Sequence, residues 1–509
     1  MLRGMAQVGG FVLEQRLGRG SAGAVWRARA PDGGEAVAVK LLAGERPSER
    51  DRRAFRRELA SLARLDHEAI VRLIDAGVTA RADGDVPAGT PWLALELASG
   101  SLADLPPASW DELRPVLDAV LRGLAHAHAR GLLHCDLKPE NLLRTARGWT
   151  LADFGIAHAF LDGGPARVAG TPATMALEQW RADASLLGPW TDLYALGATV
   201  WRVVTGDPPA DVTLDDPSPA RGAVAPGAFR PRFVVPPGLE GWLRRALDPA
   251  PEARWPTAAA ARAALIRSVD GGPVPPLPVD AREPAPPRAP VGLGLFGWRT
   301  LPIVGREAAQ DRLWALFREV VATGRGQALA IRGAPGCGRS ALAEWLTCRV
   351  AELGAATTLR AVHHVPPAAE DGLPGMLARH LRLRGLDPAA ARDRVHALLP
   401  ETSEAVLGLV RPDEGEVLAA RAHPGAALLG VRELAAGAPV VVWLDDVSRC
   451  VESIEFLRLA AQAPFPILAV ATADEAPNPP LDHLPGLSIG PLGDQATWTL
   501  LRGVLGLTS

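Results

Sequence analysis

The sequence predicts a two-lobed α+β unit, a small β-rich lobe followed by a larger helical lobe, and after it an α/β unit with a parallel sheet. Three observations predict this. Hydrophobic spacing changes from a period of two over residues 11–97 to a period of 3.6 from Leu113 onward. Residues 270–290 hold eight prolines together with Gly271 and Gly272, a composition that sustains neither helix nor sheet and marks a linker. Beyond it, an apolar run, a glycine-rich loop and a helix-like run follow one another over residues 328–350.

At 509 residues the chain is too long for one ordinary core. The expected division is residues 9–268, a proline-rich linker at 269–300, and residues 301–509. A formal charge of −3, from 54 Lys+Arg against 57 Asp+Glu, gives no electrostatic case for nucleic acid or an anionic membrane as partner. The four cysteines lack paired spacing, which argues against a disulfide scaffold or a zinc site and fits a reducing compartment. Behind Arg3 there is no sustained apolar run of the secretory kind, and no segment approaches the roughly 20 apolar residues of a bilayer helix. The expectation is a cytoplasmic protein without a fixed-period repeat.

Taken in order, Phe11 to Leu17, Ala24 to Ala30 and Glu35 to Leu42 read as strands, punctuated by Gly18, Gly20, Gly23 and the Asp32-Gly33-Gly34 turn. Arg52 to Leu65 reads as a helix with Phe55, Leu59 and Leu62 on one face. Two more strands follow, Val71 to Val78 and Trp92 to Leu97. Leu113, Val116, Leu117, Val120, Leu121 and Leu124 then mark a long helix that Gly131 ends.

Just past that helix stands His134-Cys135-Asp136-Leu137-Lys138-Pro139-Glu140-Asn141, and twelve residues later (153−141) Asp153-Phe154-Gly155. A base, a lysine and two hard oxygen ligands in this order are what phosphoryl transfer from ATP requires. Upstream, the glycines of Gly18-Arg19-Gly20-Ser21-Ala22-Gly23-Ala24-Val25 let backbone N–H groups close over phosphate with no Cβ in the way. A dinucleotide fingerprint needs a helix directly after its glycines, and Ala24 to Ala28 reads as a strand. Lys40 ends a strand whose alternation turns it away from Val39. Glu58, three residues after Phe55, is close enough to the buried helix face to reach a lysine on the neighbouring sheet.

On these motifs, residues 9–268 resemble a eukaryotic-type (Hanks-type) serine/threonine protein kinase of the kind bacteria also carry. The resemblance implies the bilobal protein kinase fold, ATP and Mg2+ (or Mn2+) as cofactors, and protein substrates with Ser or Thr acceptors. It implies that Leu17, Gly18, Gly20, Gly23, Val25 and Ala38 surround ATP, that Leu95 is the gatekeeper, and that Glu96 to Ala98 form the hinge meeting adenine. Lys40 would hold the α/β-phosphates and pair with Glu58; Asp136 would take the substrate hydroxyl proton, and Lys138 would steady the γ-phosphate. Asn141 and Asp153 would bind the metal, with Phe154 and Gly155 completing that motif. Thr171 and Glu178 would belong to the peptide-positioning segment, Asp192 would brace the catalytic loop, and Arg254 would be the buried partner of Glu178.

Two residues depart from the family pattern. Cys135 stands where an arginine usually precedes the catalytic Asp, and Leu177 where proline is common. Without that arginine, and with no Ser, Thr or Tyr from Gly155 to Ala169, activity independent of loop phosphorylation is expected. His126, His128, His134 and Cys135 cluster in sequence, but His126 and His128, two apart on a helix, face different ways, which is poor chelate geometry, and His128 and His134 read as hydrogen-bonded packing residues around the catalytic loop and not as a metal site.

In the second unit, Ala328 to Arg332 reads as a buried strand followed by Gly333-Ala334-Pro335-Gly336-Cys337-Gly338-Arg339-Ser340 and a helix over Ala341 to Val350. Backbone amides and a helix N-terminus in this order cradle phosphate. Val440 to Leu444 is an apolar strand ending in Asp445 and Asp446. With Val304-Gly305-Arg306-Glu307 before and Ile467 to Thr472 after, this half resembles the P-loop NTPases of the AAA/STAND signalling type. The resemblance implies a second nucleotide site at Gly333, Gly336, Gly338, Arg339 and Ser340, with Asp445 on the magnesium side and Asp446 activating water. Arginine at position 339 replaces the family's lysine and is not equivalent as a point charge, so nucleotide binding with slow or absent hydrolysis is implied. Only 63 residues (509−446) follow Asp446, so a module incomplete at its C-terminus is expected. The whole then reads as a kinase with a regulatory nucleotide-binding unit that meets a signalling partner. The alternative is a scaffold in which both sites act only as binding switches; the complete set Lys40, Glu58, Asp136, Asn141 and Asp153 favours catalysis.

Overall fold

A computed structural model describes residues 6–20, 23–30, 34–42, 49–154, 158–159, 170–183, 186–209, 226–282, 301–364, 366, 368, 371–410, 423–448, 450–476 and 479–505. Two compact units account for them.

The first unit opens with a six-stranded antiparallel sheet. Its strands are Gln7–Val8 (β1), Phe11–Gly20 (β2), Gly23–Arg29 (β3), Ala36–Leu42 (β4), Leu73–Val78 (β5) and Pro91–Glu96 (β6), in the order β1-β2-β3-β4-β6-β5. The glycine-rich segment expected between two strands is itself the end of β2 and the start of β3. Pairing continues through it, Gly18 against Val25 and Gly20 against Gly23, with register shifts at Leu13/Gln15 and Arg16/Gly18. Glycine tolerates this; Gly23 has φ 150°, which disfavours any side chain.

Alternation divides the sheet. Val37, Val39 and Leu41 pack on one face with Phe11, Leu13 and Trp92. The other face receives the helix Glu49–Arg64 (α1), whose Phe55 and Leu62 are buried in the main core. The larger lobe is built on Trp110–Ala129 (α2), started by the Ser109 side chain, which accepts from the Glu112 amide, and followed by Gly131 at φ 75°. All six apolar residues expected along α2 are buried in one core. Around it lie Ala98–Ser101 (β7), Leu132–Leu133 (β8), Leu142–Thr145 (β9), Gly148–Leu151 (β10) and His158–Ala159 (β11). Helices Leu177–Trp180 (α3), Pro189–Thr205 (α4), Gly238–Ala246 (α5) and Ala258–Ser268 (α6) complete the lobe.

The second unit has a parallel sheet between two helical layers. After Glu307–Thr323 (α7) come Gln327–Arg332 (β12), Arg339–Glu352 (α8) and Thr357–Val362 (β13). Helices Gly372–His380 (α9), Pro388–Leu398 (α10), Ser403–Val410 (α11) and Pro424–Ala435 (α12) lead to Val440–Asp445 (β14), Val451–Ala461 (α13), Ile467–Ala473 (β15), Pro479–Asp482 (α14) and Gly486–Ser488 (β16). The strand order is β13-β14-β15-β12-β16, with every pairing parallel. Along β14, Val440, Val442 and Leu444 pack in one apolar cluster and Val441 and Trp443 in another, so both faces are covered, as parallel sheets require.

Part of the stretch expected as linker packs in this unit. Residues 276–282 belong to it, Ala281 is buried beside Leu313 and Trp314, and Trp314 Nε1 donates to the Pro278 carbonyl at 3.0 Å. Proline-rich backbone has carbonyls without a sheet partner, and the indole N–H takes one of them. Among the described residues no helix is long and apolar enough to cross a membrane.

Candidate functional sites

Strand β4 presents Lys40 on the face opposite Val39. Its ammonium lies 2.8 and 2.7 Å from the two Glu58 carboxylate oxygens and 3.4 Å from Asp153 Oδ1. Glu58, on α1, is 3% exposed. Burial, the largest influence on Lys40, works against its charge, but Glu58 and Asp153 outweigh it and hold the ammonium pKa above the ordinary lysine value. Val25 pairs with both Gly18 and Lys40, and Ala38 pairs with Leu95, so these residues share one region of the sheet. Ala98 opens β7, and Leu17 is exposed at the glycine-rich end of β2.

Asp136 is the centre of a second set. Its Oδ2 accepts from Lys138 Nζ at 2.7 Å and its Oδ1 from the Thr171 hydroxyl at 2.7 Å. Asn141 Nδ2 donates to the Asp136 carbonyl at 2.9 Å. The loop is held from below: the fully buried Asp192 of α4 accepts from the His134 and Cys135 amides, each at 2.8 Å, and from His128 Nε2 at 2.8 Å. Burial alone would raise the Asp192 pKa, yet the bonds from His128 and the Cys135 amide hold it below the usual carboxylate value. This brace sustains Cys135 at φ 64°, a region costly for a residue with a Cβ. Cys135 itself is buried with Leu133 and Leu187. Gly170, at φ 130°, lies where a Cβ would come within 2.7 Å of the Cys135 carbonyl, which fixes the Gly-Thr-Pro segment beside the loop.

The histidines act as packing groups: His134 Nε2 donates to the Ala152 carbonyl at 2.9 Å and its ring lies 4.6 Å from buried Phe154. Glu178 and Arg254 form a buried two-pronged pair, 2.7 and 3.2 Å, in which Thr191 also donates to Glu178. Gly155 lies outside the described residues.

Arg147 was not apparent from the sequence. It donates to the Ile70 carbonyl at 2.8 Å and clamps the Glu96 carboxylate, whose oxygen also accepts from the Arg72 amide. Glu96 therefore meets the rest of the protein through its side chain as well as standing at the expected hinge. No local signal marks a contact across 51 residues of sequence.

In the second unit, the loop 333–338 joins β12 to α8. Gly336 and Gly338 have φ 81° and 98°. At Gly333 a Cβ would meet the Ile489 carbonyl at 2.4 Å, so only glycine lets the loop pass there. Ser340, in the first turn of α8, donates to Asp445 Oδ1 at 2.9 Å, which brings the loop and the end of β14 together. Arg339 pairs with Asp474 at 2.7 Å. Asp446 stands exposed just past the strand at φ 58°, its amide donating to Thr472 Oγ1 at 2.8 Å. Arg360 and His363 also reach Asp445, and neither belongs to a motif read from the sequence.

Comparison with known proteins bears on the first unit. Residues 11–219 match the protein kinase domain family. The chain is 32% identical over 236 residues to serine/threonine-protein kinase PknB of Mycobacterium tuberculosis, covering 43% of this chain and 36% of the relative. It is 36% identical over 214 residues to PknJ of the same species, 39% of this chain and 34% of the relative. With the probable serine/threonine-protein kinase PkwA of Thermomonospora curvata it shares 33% identity over 213 residues, 40% of this chain and 27% of the relative. The chain thus spans about a third of the length of these relatives. The likeness falls within the two-lobed unit, and residues 11–219 are similar to protein kinase domains.

Proposed function

We propose that this chain transfers the γ-phosphate of ATP to Ser or Thr hydroxyls of proteins in bacterial signalling, and that its second unit binds a nucleotide and adjusts that activity. The observation that carries the first part is the set of contacts on Asp136. A carboxylate that already accepts from an aliphatic hydroxyl, Thr171, with Lys138 alongside, is suited to take the proton of a substrate hydroxyl. As the hydroxyl oxygen bonds to the γ-phosphorus, the bond from phosphorus to the β–γ bridging oxygen breaks. ADP leaves, and the proton rests on Asp136. Lys138 holds charge near the transferred group, and Lys40, oriented by Glu58, holds the α/β-phosphates.

The residues present also fit a divalent cation. The Asn141 amide NH2 is engaged by Asp136, which leaves its carbonyl oxygen as a hard donor, and Asp153 keeps 41% of its side chain accessible. Asn141 and Asp153 would hold magnesium, which when bound neutralises charge on the phosphate oxygens. Transfer of labelled γ-phosphate to a generic protein substrate tests the reading: Asp136→Asn should lower the rate about 100-fold or more. An unchanged rate would end it.

Cys135 offers no cation to clamp a phosphorylated loop, so activity should survive phosphatase treatment of the purified protein; loss of activity would refute this. The stretch 160–169 lies outside the described residues. For the second unit, the support is the glycine-shaped loop between a buried parallel strand and α8, together with the bond from Ser340 to Asp445. Its effect on the kinase, through nucleotide or a signalling partner, is measured by following transfer while the loop is altered by Gly338→Val. A variant as responsive to added nucleotide as the parent chain would remove the regulatory role.

A further inference from the structure

Arg147 stands in the turn between β9 and β10 of the larger lobe, and all three of its guanidinium nitrogens donate. Nε donates to Glu96 Oε2 at 2.9 Å; Nη2 donates to Glu96 Oε1 and, at 2.8 Å, to the Ile70 carbonyl. Nη1 donates to the His67 carbonyl at 3.3 Å. The planar fork of arginine meets a carboxylate in this two-pronged way, and a lysine cannot repeat it. The two side chains are only 20% and 15% accessible, so water screens them less than an exposed pair.

Each group that Arg147 holds leads to a different part of the first nucleotide site. Glu96 closes β6, and its carboxylate is occupied by Arg147 and by the Arg72 amide at 2.8 Å, so Glu96 can meet adenine only through its backbone. Residues 67–72 carry the chain from α1, which bears Glu58, into β5. That segment is sewn to β10: the Val71 amide donates to the Leu151 carbonyl at 2.8 Å, and the Leu151 amide to the Ala69 carbonyl at 2.9 Å. It also lies hard against α2, where a Cβ on Gly123 would come within 2.9 Å of the Ala69 carbonyl. Two residues beyond Leu151 stands Asp153. One guanidinium therefore ties the end of β6 to the segment after α1 and to the turn before β10, where the small lobe joins the larger one. The Asp136 loop is braced elsewhere, by Asp192 of α4.

We infer that Arg147 is a positioning residue for ATP: acting through Glu96, it holds the hinge backbone and α1 at the spacing that seats the nucleotide. This rests on the reading of the first unit as an ATP-dependent phosphotransferase. Adenine and the α/β-phosphates are bound alike before and during transfer, so a loosened seat weakens binding and leaves the chemical step to the separately held Asp136 loop.

Initial rates of γ-phosphate transfer from labelled ATP to a generic protein substrate, measured on the full chain across ATP concentration, test this. Arg147→Ala should raise the KM for ATP about fivefold or more while kcat changes by less than about twofold. Arg147→Lys, which keeps a charge without the fork, should give a smaller rise in the same parameter. Glu96→Gln should also raise the KM, and the double variant Arg147→Ala with Glu96→Gln should have a KM no higher than Arg147→Ala alone, because the pair acts as one unit. Should Arg147→Ala fail to fold, as thermal melting reports, Arg147→Lys and Glu96→Gln decide by the same split between KM and kcat. An unchanged KM for ATP in the folded variants, a fall in kcat at unchanged KM, or single effects that multiply in the double variant overturns the inference alone. A parent chain that transfers no phosphate overturns the phosphotransferase reading itself, and the inference with it.

Discussion

The two candidate phosphate sites place the same kind of acid in opposite circumstances. Asp153 stands 3.4 Å from Lys40 with 41% of its side chain accessible. Asp445 is only 13% accessible and receives three side-chain hydrogen bonds, one from a guanidinium. An acid after an apolar strand looks alike in both motifs. What differs is the cation nearby: Lys40 is shared between Asp153 and the buried Glu58, so its charge is mostly committed to Glu58, while Arg360 is committed to Asp445. A carboxylate's availability is decided by the partner of its neighbouring cation.

The sharpest way to break this comparison is to remove Lys40. Lys40→Met should lower phosphoryl transfer about 100-fold or more, since a cation aimed at phosphate is lost. It should also destabilise the first unit by about 3 kcal/mol, because Glu58, whose carboxyl pKa is already held above the usual carboxylate value by burial, loses the cation that offsets that burial. The double variant Lys40→Met with Glu58→Gln should recover most of the stability and none of the activity. Thermal melting and the transfer assay read the two effects separately; an unchanged melting point in the single variant would mean that Glu58 is not the residue that commits Lys40.

Much of the first site was legible because its residues are close in sequence or follow fixed periods. His134 to Asn141 lie on one loop, and the alternation that buries Val39 also aims Lys40 at Glu58. The helix from Trp110 was legible because one covered face writes a period into the chain, and the strand from Val440 because two covered faces write an unbroken apolar run. Arg147 and Arg360 were not legible. They join Glu96 and Asp445 across 51 and 85 residues, and an arginine in a turn, as Arg147 is, or on a short strand, as Arg360 is, carries no local sign of which acid it will meet. The packing of residues 276–282 was hidden in a similar way, because prolines mark the absence of regular structure but not the absence of contact.

Smaller effects sharpen the comparison within the second unit. Thr472→Val should cost about 1–3 kcal/mol in chemical denaturation, since it leaves the buried Asp445 oxygen short of a donor and the Asp446 amide without its acceptor. Arg360→Ala should cost less, about 0.5–1 kcal/mol, because the arginine side chain is 48% accessible and water screens the pair. The reverse ranking would place the main hold on Asp445 in the guanidinium and not in the hydroxyls.

The smallest expected effect concerns a thiol linked to the same acid. His363 Nδ1 lies 2.7 Å from the Asp445 carbonyl, which can only accept, so Nδ1 carries the proton and Nε2 faces Ser453 Oγ at 2.8 Å. Cys450 Sγ lies 3.3 Å from the same hydroxyl. Burial alone would raise the Cys450 pKa, but the neighbouring His363 and Ser453 outweigh it and lower the thiol below its ordinary value. Thiolate at Cys450 should therefore persist to lower pH than in a free thiol, and its alkylation by iodoacetamide should decline only as pH falls through that lowered value. Peptide mapping across pH should give Cys450 an alkylation midpoint below the usual thiol value of about 8.5, and His363→Ala should move it upward. A midpoint that stays in place in His363→Ala would detach the thiol from the imidazole. Because the imidazole is held by the Asp445 backbone, the same midpoint should also move when Thr472→Val loosens that strand end.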